Sequence, residues 1–483
     1  MKATKLDPLD RLPARLPLRL RAPGPGRLSI PALVSLAVSL MVPAGLPGCR
    51  REPVRPDIVL VTIDTLRSDH CSAYGYPVPT TPNLDALAAG GVLYRRAYAE
   101  SSTTAPSHAV LMTGRHFRTL GVGKNGHSLP ADAATLAETL RDAGYQTAAF
   151  VSSYPLLARF GFSQGFDVYD DRFEVNEASL GRRTQGSHAQ DRVAGATLAR
   201  AERWLDKRKD GRPLFVWVHF VDPHAPYRAP EKFQADWPAG TKLAVQRYDA
   251  EVHYADRQLG RLLEVVARRT PDREDLVVVT SDHGEGLGDH GWMAHGINLH
   301  EEAVRVPLVA SWPGHLGAGE VVEEPVALVD VARGIVGRLG LDATSFAHGH
   351  DLFARADPAR AIFLQRRDYE GVKEKGRKIT GEMTAVVERG SKLIMAPEEE
   401  SRELYDLTAD PRELTNLLGG PAKPGAKASR TAAPASDPAQ REATARALEE
   451  TLGKWHDAFP SSGSDTPIDE ETRKALRSLG YVD

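Results

Sequence analysis

Asp64, Asp282 and His283 each stand just after a run of apolar, mostly β-branched residues, Asp57 to Ile63 in the first case and Leu276 to Ser281 in the second. Such runs mark strands buried on both faces. Carboxylates gathered at strand ends repel one another, and a divalent cation is the usual way to neutralise them. A hydroxyl-rich turn, Ser101-Ser102-Thr103-Thr104, precedes a short apolar helix that carries Pro106 in its first turn and closes at Thr113-Gly114. Thr104 therefore lies at or near the N-cap, beside free backbone N–H groups and the positive end of the helix dipole. Two carboxylates, an imidazole and this hydroxyl form a four-ligand set for one divalent metal ion. The imidazole favours zinc or manganese, while calcium and magnesium stay open. A hydroxyl beside such a cation has a lowered pKa and can attack an ester.

The elements that must position these residues follow from periodicity. Strands are expected at 57–63, Thr147 to Ser152, Pro213 to Phe220, Leu276 to Ser281 and Val306 to Trp312. Helices alternate with them: Thr81 to Ala89, Thr135 to Ala143, one capped by Asp191 that reaches Leu205, and Tyr248 to Ala267. That alternation implies an α/β fold with a mostly parallel central sheet covered on both sides, whose strand ends host the chemistry. The catalytic α/β domain is expected over 55–344, a smaller C-terminal subdomain over 345–418 and a flexible linker rich in Ala, Pro, Lys and Gly over 419–440. A C-terminal helix and tail follow over 441–483, with Ala445, Leu448, Leu452 and Trp455 at helical spacing.

A net charge of -3 excludes the concentrated basic character of a nucleic-acid binder. Two cysteines, Cys49 and Cys71, exclude a disulfide framework and a cysteine metal cluster. Residues 1–49 read as an export signal: a basic region, a short apolar run, then Leu46-Pro47-Gly48-Cys49. The last four resemble a bacterial lipoprotein cleavage box with Cys49 as the lipidated residue. The expectation is an exported protein, lipid-anchored to the membrane of the bacterial cell envelope.

The frame Thr104-Ala105-Pro106-Ser107-His108 with Thr113-Gly114 resembles the sulfatase signature of the alkaline phosphatase superfamily, Cys or Ser, x, Pro, Ser, Arg, then Thr-Gly. Asp64-Thr65-Leu66-Arg67, Asp282-His283-Gly284-Glu285, Arg305-Val306-Pro307-Leu308 and Glu403-Leu404-Tyr405-Asp406-Leu407 are similar to further family blocks. The resemblance implies an alkaline-phosphatase-like three-layer αβα fold and a metal-dependent hydrolase of sulfate or phosphate esters. It implies Asp64, Thr104, Asp282 and His283 as metal ligands, with Thr104 also the nucleophile. His224 resembles the family's histidine for the substrate anion. His295 resembles a Lys or His at the leaving group, where a general acid or a ligand of a second metal stays open. Asn125, in a loop similar to one near the family's site, and His108, in place of the family's Arg, are expected with His224 to bind substrate.

The departures bear on the chemistry. Sulfatases act through a formylglycine made from Cys or Ser, so with Thr104 in that place no formylglycine is expected. Ser152 and Tyr154 stand where sulfatases place a Lys and a His. The pattern is similar to superfamily members that use an unmodified Thr, so family resemblance leaves sulfate and phosphate both open. The ester substrate is expected on a small molecule, lipid or glycan. The alternatives are an envelope phosphoethanolamine-type transferase or phosphodiesterase, and a non-catalytic surface protein that binds anionic glycans.

Overall fold

The computed structural model describes residues 55–173, 191–230, 232–269, 274–355, 357–374, 377–419, 437–462 and 468–479. The export signal and lipid-anchor cysteine expected over 1–49, and residues 420–436 of the expected linker, lie outside the described residues.

Strand β1 (Ile58–Ile63) is wholly buried and forms the middle of a nine-stranded sheet. In chain order the others are β2 (Val92–Tyr98), β3 (Gln146–Phe150), β4 (Val168–Asp170), β5 (Leu214–Phe220), β6 (Leu276–Ser281), β7 (Arg305–Val306), β8 (Leu308–Ser311) and β9 (Glu320–Ala327). Across the sheet the order is β9-β2-β8-β6-β1-β5-β3-β4, with β7 paired to β2. β5 and β6 flank β1 in parallel, and β3 and β4 continue that direction. β8 runs antiparallel between β6 and β2, while β9 is parallel to β2.

The pleat divides the apolar side chains between two helical layers, because successive residues of a strand face opposite ways. Ile58 and Leu60 join a core with α2 (Thr104–Thr113), α3 (Leu136–Asp142) and α6 (Val329–Arg338). Val59, Val61 and Ile63 join another with α1 (Pro82–Ala89), α4 (Ala194–Lys207) and α5 (Leu243–Arg269). The result is an alkaline-phosphatase-like three-layer αβα body.

Three details depart from the sequence reading. The expected strand from Val306 to Trp312 is two strands, divided at Pro307, whose missing N–H cannot continue a ladder. β2 and β9 were not expected as strands. Asp191 does not cap α4: its Oδ1 accepts from Tyr154 N at 2.9 Å. Asp222, from the end of β5, accepts from Ala194 N at 2.6 Å and closes the helix instead.

Beyond the main sheet, β10 (Ile362–Arg366), β11 (Met383–Glu388), β12 (Ser391–Ala396) and β13 (Ser401–Asp406) form a smaller antiparallel sheet. Ala445, Leu448, Leu452 and Trp455 of α7 (Pro438–Ala458) pack on Val386, Leu393 and Leu404 of that sheet. Among the described residues no helix is long and apolar enough to cross a membrane.

Candidate active site

The ends of β1 and β6 adjoin in the sheet, which brings Asp64 beside Asp282 and His283 although more than two hundred residues separate them. A ligating atom from each lies within 4.8 Å of the others, and all three side chains are fully buried. Asp64 N donates to Phe220 O at 2.8 Å, which pins the turn, while both Asp64 carboxylate oxygens lack a side-chain hydrogen-bond partner among the described residues. Thr65 follows at φ +57°, a conformation that costs a β-branched residue on the order of 1–3 kcal/mol. It is held there by two bonds: Thr65 N donates to Asp282 Oδ1 at 3.3 Å, and Tyr248 OH donates to Thr65 O at 2.7 Å.

Thr104 is the first residue of α2, after an extended Thr103 at the N-cap. Its Oγ1 lies 3.3 Å from His283 Nε2, which is in turn 3.4 Å from Asp282 Oδ2 and 3.7 Å from Asp64 Oδ1. His283 Nδ1 donates to Gly284 O at 2.9 Å, so Nε2 presents a lone pair to the group. Burial, and then the neighbouring His295, bring the His283 pKa down to about 3, and the ring is neutral and ready to ligate. Burial, reinforced by the Asp282 carboxylate, raises Asp64 well above the usual carboxylate range; burial pushes Asp282 up to about 6. The structure thus brings Asp64, Asp282 and His283 together, with the Thr104 hydroxyl against the His283 ring.

The remaining predicted residues take distinct places. The His295 ring lies 4.5 Å from that of His283 and 5.0 Å from that of His224. Burial brings both His224 and His295 down to about 4, helped by the adjacent His295 in the first case and by Arg367 in the second. Asn125 Oδ1 accepts from Ala105 N at 2.8 Å and so ties down the first turn of α2 beside Thr104. His108 is fully buried. Its Nδ1 donates to Thr104 O at 2.8 Å, and its Nε2 accepts from Thr62 Oγ1 at 3.1 Å, which in turn accepts from Trp217 Nε1. The imidazole that replaces the family's Arg therefore braces the helix from below.

His290 and His300, which by spacing resemble His295 but read as surface or packing residues, are buried and stacked at 3.9 Å where the two sheets meet. Asp249 and His253, one turn apart on α5, do not share a site. Asp249 binds His70 at 2.7 Å, and His253 stacks on Phe233.

Two residues of the site have no role in the sequence reading, although Glu285 ends a block similar to one of the family's. Glu285, fully buried, lies beside Tyr227 and 3.5 Å from His295 Nδ1, and burial raises its pKa. His219 sits inside β5, where a lone imidazole in an apolar run reads as packing. Its Nε2 nevertheless lies 3.8 Å from Asp64 Oδ2.

A three-layer α/β hydrolase body with acidic strand ends, a helix-borne hydroxyl and histidines around it defines the class. Residues 56–341 match the sulfatase family model, and residues 288–429 match the model for the C-terminal region of N-sulphoglucosamine sulphohydrolase. The chain belongs to the sulfatase family of the alkaline phosphatase superfamily and is a hydrolase of that family. It is 25% identical over 410 residues to an ulvan-active sulfatase of Formosa agariphila, covering 77% of this chain and 78% of that one. A phosphonate monoester hydrolase of Agrobacterium radiobacter superposes with a TM-score of 0.62 at 23% identity, over 83% of this chain and 96% of the other. A structure in complex with its substrate D-glucosamine-2-N,6-O-disulfate does so with a TM-score of 0.62 at 20% identity, over 85% and 100%.

Proposed function

We propose that this protein is a metal-dependent hydrolase of sulfate or phosphate esters, with Thr104 as its nucleophile and a glycan as the carrier of the ester. The observation that carries the reading is Asp64. Two buried carboxylate oxygens without a side-chain hydrogen-bond partner cost several kcal/mol unless a cation meets them. Asp282, His283 and the Thr104 hydroxyl complete a donor set around the same point. The residues fit one divalent ion, held by Asp64, Asp282, His283 and Thr104. When bound, the ion would neutralise the acids and lower the pKa of the Thr104 hydroxyl.

The protein's own groups supply the rest. Thr104 Oγ attacks the sulfur or phosphorus; the new O–S or O–P bond forms as the bond to the ester oxygen breaks, and the hydroxyl proton passes to solvent. An incoming anion favours the imidazolium form of His295, which gives its proton to the departing oxygen. His224, 5.0 Å away ring to ring, offers its ring to the anion's remaining oxygens. Water then cleaves the sulfo- or phosphothreonine and restores the hydroxyl. The glycan carrier is supported by the relative named for ulvan and by the neighbour bound to a sulfated glucosamine. Export and lipidation at Cys49 would place this activity at the cell envelope, on the support of the N-terminal sequence alone.

The test uses the purified chain on aryl sulfate, aryl phosphate and phosphate diester substrates with the divalent metal varied and an acceptor alcohol present or absent. Thr104→Ala is expected to lower kcat/KM by about 10³-fold or more, roughly 4 kcal/mol of barrier. Unchanged turnover in Thr104→Ala removes the mechanism, and product carried on the acceptor alcohol reassigns the enzyme as a transferase.

A further inference from the structure

Strand β5 ends Trp217-Val218-His219-Phe220, and its register places His219 opposite Thr62 of β1, two residues before Asp64. The imidazole is fully buried. Ser152, at the end of β3, fixes its state. The Ser152 hydroxyl gives its proton to the His219 carbonyl oxygen, so its lone pair faces His219 Nδ1 at 3.3 Å. Nδ1 therefore carries the ring proton and Nε2 keeps a lone pair.

That Nε2 has no hydrogen-bond partner among the described residues, and it points at Asp64 Oδ2 across 3.8 Å. The gap is too long for a hydrogen bond. It suits two donors on one ion: at about 2.1 Å from a tetrahedral centre, ligands stand roughly 3.4 Å apart. Ligating atoms of His108, His219 and Asp282 also lie within 4.8 Å of one another, in a second group that shares Asp282 with the first. The two histidines of that group are not equivalent. His108 spends both nitrogens on Thr104 O and Thr62 Oγ1, whereas His219 spends one. The second group thus contributes one donor to the first rather than a separate ion site.

We infer that His219 is a further ligand of the cation held by Asp64, Asp282 and His283, oriented by Ser152. The inference rests on the metal-dependent reading above. With the Thr104 hydroxyl, it makes the protein's own set two carboxylates, two imidazoles and one hydroxyl, which favours zinc or manganese over calcium or magnesium. It also accounts for Ser152, whose hydroxyl supports a ligand from the place where sulfatases of the usual pattern carry a lysine.

The experiment loads the full chain with Mn(II) and counts coupled imidazole nitrogens by pulsed electron paramagnetic resonance, with Zn(II) affinity measured by competition against a chelating dye. Wild type is expected to show two imidazoles and His219→Gln one. The Zn(II) Kd is expected to rise at least about 10-fold in His219→Gln, and by less in Ser152→Ala. A single imidazole in the wild type overturns the inference without recourse to any variant. So does an unchanged Zn(II) Kd in a His219→Gln protein whose metal-free melting matches wild type. Asp282→Asn separates the two levels. If it loses the metal while His219→Gln does not, only the His219 assignment fails. If neither variant changes metal binding, the metal-dependent reading fails as well.

Discussion

The molecule holds two buried clusters of acids and imidazoles, and they differ in whether the chain answers its own charges. At the seam between the sheets, His290 binds Glu302 at 2.8 Å and His300 binds Glu403 at 3.1 Å, with Tyr405 OH donating to Glu403 at 2.6 Å. Lys392, fully buried, reaches Glu301 at 3.0 Å and Glu413 at 2.9 Å. Each of these carboxylates has a cationic or imidazole partner from the chain. At the strand ends the Asp64 carboxylate has no Lys or Arg partner among the described residues, and the charges that act on it come from further acids, Asp282 first. Both clusters offer metal-ligand spacing. The seam is a finished ion-pair network that ties one sheet to the other, while the strand-end cluster is unfinished until something positive arrives.

The largest effect separates the two by opposite responses. Asp64→Asn removes one of several mutually repelling carboxyls, so the metal-free protein should melt no lower than wild type. Activity should fall by about 10³-fold or more if Asp64 ligates the cation as proposed. Kinetics and thermal melts in the presence of a chelator measure both on one preparation. A large loss of melting temperature in the metal-free variant would mean that Asp64 is held like the seam acids, and the contrast would collapse.

The next largest belongs to the seam. Lys392→Met leaves Glu413 buried without its cation and Glu301 with only Arg305 at 3.8 Å, and removing one partner of a buried pair costs about 3–5 kcal/mol. Glu413 already sits at about 7 because burial outweighs the lysine, and the loss of Lys392 raises it further. Denaturant unfolding should show the destabilisation, while kcat/KM of the folded fraction stays within a few-fold of wild type. Activity lost in step with neither unfolding nor metal content would mean that the seam reaches the chemistry directly.

The contrast was only half visible in the chain. Asp64, Asp282 and His283 stand out because buried parallel strands end in polar residues, and the Thr-x-Pro opening of a helix gains meaning only when read with those strand ends. His219 was hidden by its setting: inside an apolar strand, an imidazole that faces a carboxylate looks the same as one that packs. The seam was hidden for another reason, since pairs such as Lys392 with Glu301 and His300 with Glu403 are joined by tertiary packing and not by spacing. β2 and β9 escaped because Arg95 and Arg96 interrupt one and Glu323, Glu324 and Pro325 the other, near the edge of the sheet where charge is tolerated. The α7 helix was legible, as Ala445, Leu448, Leu452 and Trp455 keep one face to the smaller sheet.

The smallest effect is a pH profile, and it sharpens the comparison because a completed pair titrates in a predictable sense. Glu302 is brought down to about 2: burial opposes the shift, but the His290 contact prevails. His290 is raised to about 9, again against burial, by Glu302 and then Glu413. The Glu302 contribution is fully present above its unfolded value near 4.5 and disappears as pH falls through about 2. The His290 contribution is fully present below its unfolded value near 6.5 and disappears as pH rises through about 9. The pair therefore stabilises most between about pH 4.5 and 6.5. Stability should decline from there to about pH 9 by on the order of 1–3 kcal/mol. His290→Gln should flatten that decline in denaturant midpoints measured across the range, with little change in metal affinity at the strand ends. A variant that keeps the full slope would place the titrating group elsewhere and leave the seam without its histidine switch.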